Sequence, residues 1–484
     1  MRRPWYRKCK ICKRPKQAHK IGDEGHRYEP VWDGKIKLLK RDKLPSGLFW
    51  ATYKEIEKER HIKFKIKRDV NVPYTKSKRH WILSDGKYDF QNECVDKVVH
   101  TICNGKGGLI LNATGSGKTR IFAMIASRLD CDLLFVVDQL NLLDQARKDI
   151  AEHLGERIGK VGESHFRLGR VTVGTIQTLH AHRKDKKFLQ WFKHIDVIAI
   201  DEVHTMLGKS NFDVMTIAKP LATIGLTATL GLSQKQTRLK AYSLCGPVLY
   251  EYPIKKGMKD EVLSQGIGVQ LCYANHIADI AGYSANEAYD TYIVNNAERN
   301  HIITRLVSKA NKLGKYTIVL VDRLKHLEDL SKRLDKKDIL HKVVSGTFKG
   351  KHIKVSERIK HVSKFEKGKI RVILANKVMK KGVDIKRVDI VINATGRKSK
   401  NDAIQIFGRG VRKHKDKAGL IYIDIADIDT ERRNWFYKAS KSRIKALKQI
   451  GISIQKIDYT DELRMIDIFK KAEKLLHKEI KNGR

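Results

Sequence analysis

The sequence predicts an α/β protein in which two tandem parallel-sheet domains follow a small basic α+β region. Three observations predict it. From about residue 85 to 255, short apolar runs rich in β-branched residues alternate with helical stretches. The same rhythm restarts at about residue 256. Residues 1 to about 84 are instead basic and aromatic, with short β-like runs such as KIKLL and HIKFKIK. Alternation of buried strands and helices is the pattern of doubly wound α/β domains.

Element by element, GGLILN, DLLFVVD, RVTVGT and DVIAID read as strands of the first sheet. YTIVLVD, KVVSG, IRVILAN, VDIVINATG and GLIYIDIA read as strands of the second. The two blocks are similar in rhythm but are not sequence repeats. The tail from Arg432 to Arg484 reads as helical, basic and amphipathic. The expected division is 1–30, a possible zinc-binding segment; 31–84, an N-terminal nucleic-acid-binding domain; 85–255, the first α/β domain; and 256–484, the second with its C-terminal helices.

A chain of 484 residues that is 41% hydrophobic can build several cores, which argues against wholesale disorder. Its 99 Lys and Arg against 54 Asp and Glu give a formal charge of +45. Such a charge repels itself in a compact chain unless an anionic partner is present, and it points to nucleic acid. The start, MRRPWYRKCK, has no apolar signal region, and no apolar run is long enough to span a bilayer, so a cytoplasmic protein with no membrane partner is expected. Seven cysteines, mostly single and in apolar surroundings, fit a reducing compartment.

The strand GLILN runs into ATGSGKT, residues 113–119, and then into a helical stretch. This is a phosphate-binding loop in its required context. Gly115 and Gly117 let backbone N–H groups close on phosphates, together with Thr114 and Ser116. Lys118 reaches the β- and γ-phosphates of ATP, and the Thr119 hydroxyl ligates Mg²⁺. Asn112 stands where the strict pattern has Gly. The strand DVIAI ends in Asp201-Glu202-Val203-His204, an odd way to fill a core. Asp201 is expected to hold Mg²⁺ and Glu202 to polarise the attacking water. On an extended chain His204 would face the same side as Glu202 and report γ-phosphate status. In the second block, QIFGRGVR offers Gln405 with Arg409 and Arg412, three apart and so expected on one helical face. Arg is suited to the charge of a transferring phosphoryl group. Thr175, Gln177 and Thr178 can bond phosphate oxygens without reading bases, or can serve simply as loop caps.

The ordered set ATGSGKT, VTVGTIQTL, DEVH, GLTATL, ANKVMKKGVDI and QIFGRGVR, spread over residues 88–412, resembles the superfamily 2 helicases. The resemblance implies two RecA-like domains with ATP in the cleft between them. It implies that Thr227 and Thr229 couple hydrolysis to domain movement, and that Arg409 and Arg412 act as arginine fingers. Gly382 and Asp384 resemble the motif that contacts nucleotide and coordinates closure. KYDFQ resembles the adenine-sensing motif, with Gln91 reading the base edge and Tyr88 standing where relatives often carry Arg.

Ahead of the motor, WDG with the later LP-G-L order resembles the N-terminal DNA-binding domain of the phage UvsW-type recombination helicases and XPB-like enzymes. Asp33-Gly34 is a hairpin signal, and Trp32, Lys35 and Arg41 are candidate DNA contacts. That resemblance implies a monomeric DNA helicase that remodels forks and recombination intermediates, with recombination or replication proteins as possible partners. An RNA helicase of the DEAH type, the motor subunit of a restriction complex and a scaffold with a decayed motor are the rivals. Cys9, Cys12, His19 and His26 offer ligands for tetrahedral Zn²⁺, the alternative being a basic arm with incidental Cys and His.

Overall fold

The structure is a computed structural model that describes residues 8–9, 28–29, 46–60, 81–228, 235–275, 283–376, 385–428, 435–460 and 465–482. No helix among the described residues is long and apolar enough to cross a membrane.

The first sheet has eight strands: β1 (Gly108–Asn112), β2 (Leu133–Val137), β3 (Gly159–Gly162), β4 (His165–Arg167), β5 (Val171–Thr175), β6 (Val197–Asp201), β7 (Ala222–Thr227) and β8 (Val248–Tyr252). Their order is β8-β1-β7-β6-β2-β5-β3-β4, and all pair in parallel except β4, which returns antiparallel on β3. Every residue of β2 and β5 is buried, as strands covered on both faces require. One apolar cluster under this sheet includes Val95, Phe122 and Phe135; another, on different side chains, includes Leu134, Phe192 and Ile198.

The second sheet has seven strands, all parallel: β9 (Gly266–Ala274), β10 (Thr317–Leu320), β11 (His341–Val344), β12 (Val372–Ala375), β13 (Ile390–Asn393), β14 (Leu420–Ile428) and β15 (Ile454–Asp458). Their order is β11-β12-β10-β13-β14-β9-β15. The strands expected from their apolar runs are all present. Two others were hidden. β9 contains Gly266 and Gly268, which weaken strand propensity, yet a Cβ on Gly268 would lie 2.3 Å from Ile454 Cδ1 of the neighbouring strand. The tail, expected to be wholly helical, holds β15 between two helices, Trp435–Gln449 and Met465–Asn482.

β14 carries two buried aspartates, each paired with a buried arginine. Arg299 meets Asp427 at 2.7 Å, and Arg443 meets Asp424 at 2.7 Å.

In the N-terminal region, Lys8–Cys9 pairs antiparallel with Tyr28–Glu29. Ser46–Arg60, between the β-like runs KIKLL and HIKFKIK, is a helix, α1. It packs on the first domain through Gly47, where a Cβ would stand 2.3 Å from the Tyr242 carbonyl oxygen. Lys106 of the first domain lies 4.2 Å from the ring of Trp50. Trp32, Lys35, Arg41, Cys12, His19 and His26 lie outside the described residues, as does the side chain of Cys9.

Candidate nucleotide site and motor cleft

The phosphate loop leaves β1 at Asn112 and enters helix α2 (Lys118–Arg128). Gly115 and Gly117 have φ of 90° and 84°, a conformation costly to residues with a Cβ. Space is also short: a Cβ on Gly117 would stand 2.6 Å from Gln91 Nε2, and one on Gly115 would stand 3.0 Å from Arg412 Cγ. The hydroxyls of Thr114 and Ser116 are buried without a hydrogen-bond partner. Buried polar atoms without partners, next to the N-terminus of α2, fit a bound polyanion. Lys118 Nζ stands 3.4 Å from the Asn112 carbonyl and 3.7 Å from Glu202 Oε1. Thr119 follows it at the start of α2, half-buried.

Gln91 is buried and supports this loop from behind. Its Nε2 donates to the Ser116 carbonyl at 2.8 Å, and its Oε1 accepts from Ser84 Oγ at 2.6 Å. One N–H and one lone pair of the amide remain for another partner. The Tyr88 ring is exposed at the mouth of the cleft.

The acidic pair ends β6, but the chain does not continue extended. Glu202 is left-handed, with φ 46° and ψ 50°, and a short 3₁₀ turn follows over Val203–Thr205. A non-glycine residue held there is strained, and such strain collects at functional sites. The turn, rather than strand alternation, brings His204 Nδ1 to 3.4 Å from Glu202 Oε2. Burial, then the charge of Glu202, pushes the Asp201 carboxyl up to about 7 against the pull of Lys118. Burial would raise Glu202 too, but Lys118, His204 and Arg409, with a hydrogen bond from Thr227, hold it below the usual carboxylate value. Asp201 is thus a half-buried carboxyl at the cleft wall, beside a second carboxylate and the phosphate loop. That donor set fits a hard divalent cation such as Mg²⁺.

The second domain closes the cleft with helix α3 (Lys400–Gly410), which starts at a Ser399 cap. A Cβ on Gly408 would stand 3.2 Å from Thr114 Cβ, so α3 lies directly on the phosphate loop. Gln405 Nε2 is 3.1 Å from His204 Nε2, across the domain boundary. If the amide donates there, His204 carries its proton on Nδ1, where it faces Thr227 Oγ1 at 2.9 Å. Thr227 in turn donates to Glu202 Oε2 at 3.2 Å. Arg409 sits in the last turn of α3, whereas Arg412 lies beyond the helix end and pairs in a bridge with Leu263. They therefore do not share a helical face, yet both line one cleft of about 480 Å³ with Lys118, Asp201, Glu202 and Gln405. Lys386 and Lys413 line it as well and were not singled out from sequence; Lys413 directly follows QIFGRGVR.

Thr175 is fully buried and caps a short helix, accepting from the Thr178 N–H at 3.3 Å. Gln177 is exposed and donates to the Asp138 carbonyl at 2.6 Å. Thr229, Gly382 and Asp384 lie outside the described residues.

Two family models match this chain: type III restriction enzyme, res subunit, over residues 87–232, and helicase conserved C-terminal domain, over residues 298–414. The chain is 27% identical to a protein of Acanthamoeba polyphaga mimivirus named as an ATP-dependent RNA helicase, covering 76% of this chain and 69% of that one. It is 26% identical to the DNA 3'-5' translocase XPB2 of Sulfurisphaera tokodaii, covering 65% and 77%. It is 22% identical to the ATP-dependent DNA helicase uvsW of Enterobacteria phage T4, covering 84% of each. Among solved structures, a variant of S. cerevisiae Dbp5 bound to RNA and ADP BeF3 matches with a TM-score of 0.56 at 16% identity, over 83% of this chain and 100% of that one. That likeness concerns the fold, two RecA-like parallel-sheet domains. With the phosphate loop and acidic pair on one domain and the arginines of the other in the same cleft, the chain is an ATP-dependent helicase or translocase of superfamily 2.

Proposed function

We propose that this motor works on DNA and exchanges paired strands at branch points, as in branch migration and fork reversal. The observation that carries the motor chemistry is the single cleft shared by Lys118, Asp201, Glu202, Arg409 and Arg412. In this reading the glycine loop, the N-terminus of α2 and Lys118 bind the phosphates of ATP. Thr119 and Asp201 would hold Mg²⁺, which when bound neutralises charge on the phosphates. Glu202 orients the attacking water, and Arg409 with Arg412 stabilises charge on the transferring group. Tyr88, at the mouth of the cleft, would stack on the base, and the remaining N–H and lone pair of Gln91 would meet its edge. The His204–Gln405 contact ties the acidic turn to the second domain, so occupancy of the cleft and domain closure are coupled. Thr175, buried, caps the short helix that presents Gln177 and Thr178, and a strand held at those two residues is then moved as the cleft opens and closes.

Nucleic acid is favoured by the +45 charge, and DNA by similarity to two proteins named for DNA, one of them over 84% of each chain. RNA is the second reading, because the mimivirus relative is named for RNA. Strand exchange at a branch is nearly balanced in base-pair energy, so ATP chiefly supplies direction. ATP hydrolysis by the full chain, stimulated in turn by single-stranded DNA, duplex, four-way junction and RNA, discriminates the readings. The expected order has branched DNA highest, with Holliday junctions and model forks converted to products. Strong unwinding of simple tailed duplexes with no action on junctions would remove branch migration, and stimulation by RNA alone would remove DNA.

A further inference from the structure

The outer edge of the first sheet carries a feature that the motor chemistry does not use. β3 and β4 form a hairpin closed by Glu163 and Ser164, both left-handed with φ of 50° and 61°. Such a turn normally uses Asn and Gly, and here neither is present. Side chains hold it instead. Lys160 Nζ reaches Glu163 at 2.7 Å and Asp144 at 3.0 Å, and the His165 ring donates from Nδ1 to the Glu163 carbonyl at 2.7 Å.

Under the hairpin lies a cavity of about 480 Å³ lined by Arg147, Arg157, Lys160, His165 and Arg167. The two nearby carboxylates, Asp144 and Glu163, are both engaged by Lys160, and Arg147 also stands 3.6 Å from Asp144. The side chains of Arg157 and Arg167 are exposed and make no hydrogen bond or ion pair to another described residue. Phe166, between His165 and Arg167 on the strand, alternates to the other face and meets Trp191 edge-on at 5.5 Å, which leaves His165 and Arg167 on the cavity side. Exposed guanidinium groups gathered around one cavity suit the phosphates of a phosphodiester chain.

Its position says which part of the nucleic acid could reach it. The cavity includes Gly159 and Gly169, at or before the starts of β3 and β5, whereas the phosphate loop and Thr175 are at strand ends. In the sheet order β3 is five strands from β1, about 24 Å at the usual strand spacing, and Gly169 lies about 20 Å before Thr175 along the direction of β5. A strand gripped at Gln177 and Thr178, just past the end of β5, therefore does not lie in this cavity. A duplex arm leaving the motor can, because duplex DNA stays straight over about 150 base pairs.

We propose that this basic hairpin edge is a second nucleic-acid site that holds the backbone phosphates of a duplex arm, without reading its sequence. The proposal rests on the nucleic-acid motor reading above. Its test is the double variant Arg157→Ala, Arg167→Ala in the full chain. Both side chains are exposed and distant from the ATP cleft, so ATPase activity without nucleic acid reports intact folding. Affinities for a forked duplex and for a short single strand are measured by fluorescence anisotropy across a salt series. The expected result is about tenfold weaker forked-duplex binding, a salt slope smaller by about two, and unchanged single-strand binding. Unchanged forked-duplex affinity and slope would overturn this site alone. Equal weakening for both ligands would overturn its assignment to a duplex arm. If the wild-type protein binds neither ligand and neither stimulates its ATPase, the nucleic-acid reading falls and this site with it.

Discussion

Arg443→Met tests how the second domain holds the helix that carries Arg409. Arg443 is 2% exposed, and Asp424 is fully buried. The guanidinium donates from Nε to Asp424 Oδ1 at 2.7 Å and from Nη2 to Oδ2 at 3.0 Å, and from Nη1 to the Arg397 carbonyl. Asp424 also accepts from Ser440 at 2.6 Å and from Asn393 at 2.9 Å. Removing the arginine leaves a buried carboxylate with two neutral donors, which costs about 3–5 kcal/mol. Removing both charges, as Arg443→Met with Asp424→Leu, leaves less unsatisfied. Ser440 keeps its bond from Gln270 and Asn393 keeps Tyr422. The double variant should therefore lie within about 2 kcal/mol of wild type. Hydrogen exchange of the β14 and Trp435–Gln449 amides in graded urea reads this stability locally, without assuming that both domains unfold together. Because Arg397 precedes α3, Arg443→Met should also lower ATP turnover. A cost below about 1 kcal/mol, or one unchanged in the Asp424→Leu background, would refute the pair as the brace.

Two further outcomes follow from the cleft. Arg409→Lys keeps the charge but loses the planar fork, so ATP turnover should fall by about a hundredfold or more while nucleotide-analogue affinity changes little; undiminished turnover would put Arg409 outside the reacting group. Lys417 donates to the Gly410 and Arg412 carbonyls at the end of α3, and burial brings its ammonium down to about 7. Unfolded, it keeps its proton to about pH 10.4. Between those values the unfolded chain binds more protons, so this group makes stability rise with pH above about 7 and contributes no slope below it. Wild type should gain stability over Lys417→Met from pH 7 to 9 in urea titrations; parallel curves would count against the buried ammonium.

The phosphate loop and acidic pair were legible because backbone chemistry dictates them: phosphates need glycine, and a buried strand does not end in two carboxylates by accident of packing. The central strands were legible because burial on both faces makes them continuous apolar runs. What stayed hidden depends on neighbours distant in sequence. Gly268 looks like a strand breaker until Ile454 is seen filling the space its Cβ would take. Gly47 looks like loop chemistry until α1 is seen against Tyr242. His204 was linked to Glu202 through an extended chain, but a left-handed Glu202 makes the contact instead. Arg412 follows the helix rather than riding on it, because Val411 ends α3 and the chain turns to pair with Leu263.

The same limit applies to charge. A count of +45 says that an anion is wanted and not where. Arg299 and Arg443 are spent inside the second domain, each cancelled by one aspartate, and present nothing to a ligand. Lys118, Lys386, Arg409, Arg412 and Lys413 face the nucleotide cleft, where Asp201 and Glu202 offset part of their charge. A polyphosphate in that cleft occupies these cations, so they contribute little to the salt dependence of strand binding. Arg157 and Arg167 are in a different position, exposed at the sheet edge beyond reach of the cleft. Salt sensitivity that survives saturation with a nucleotide analogue must therefore come from surfaces of this second kind. Salt sensitivity that vanishes on saturation would instead assign the basic excess to the cleft.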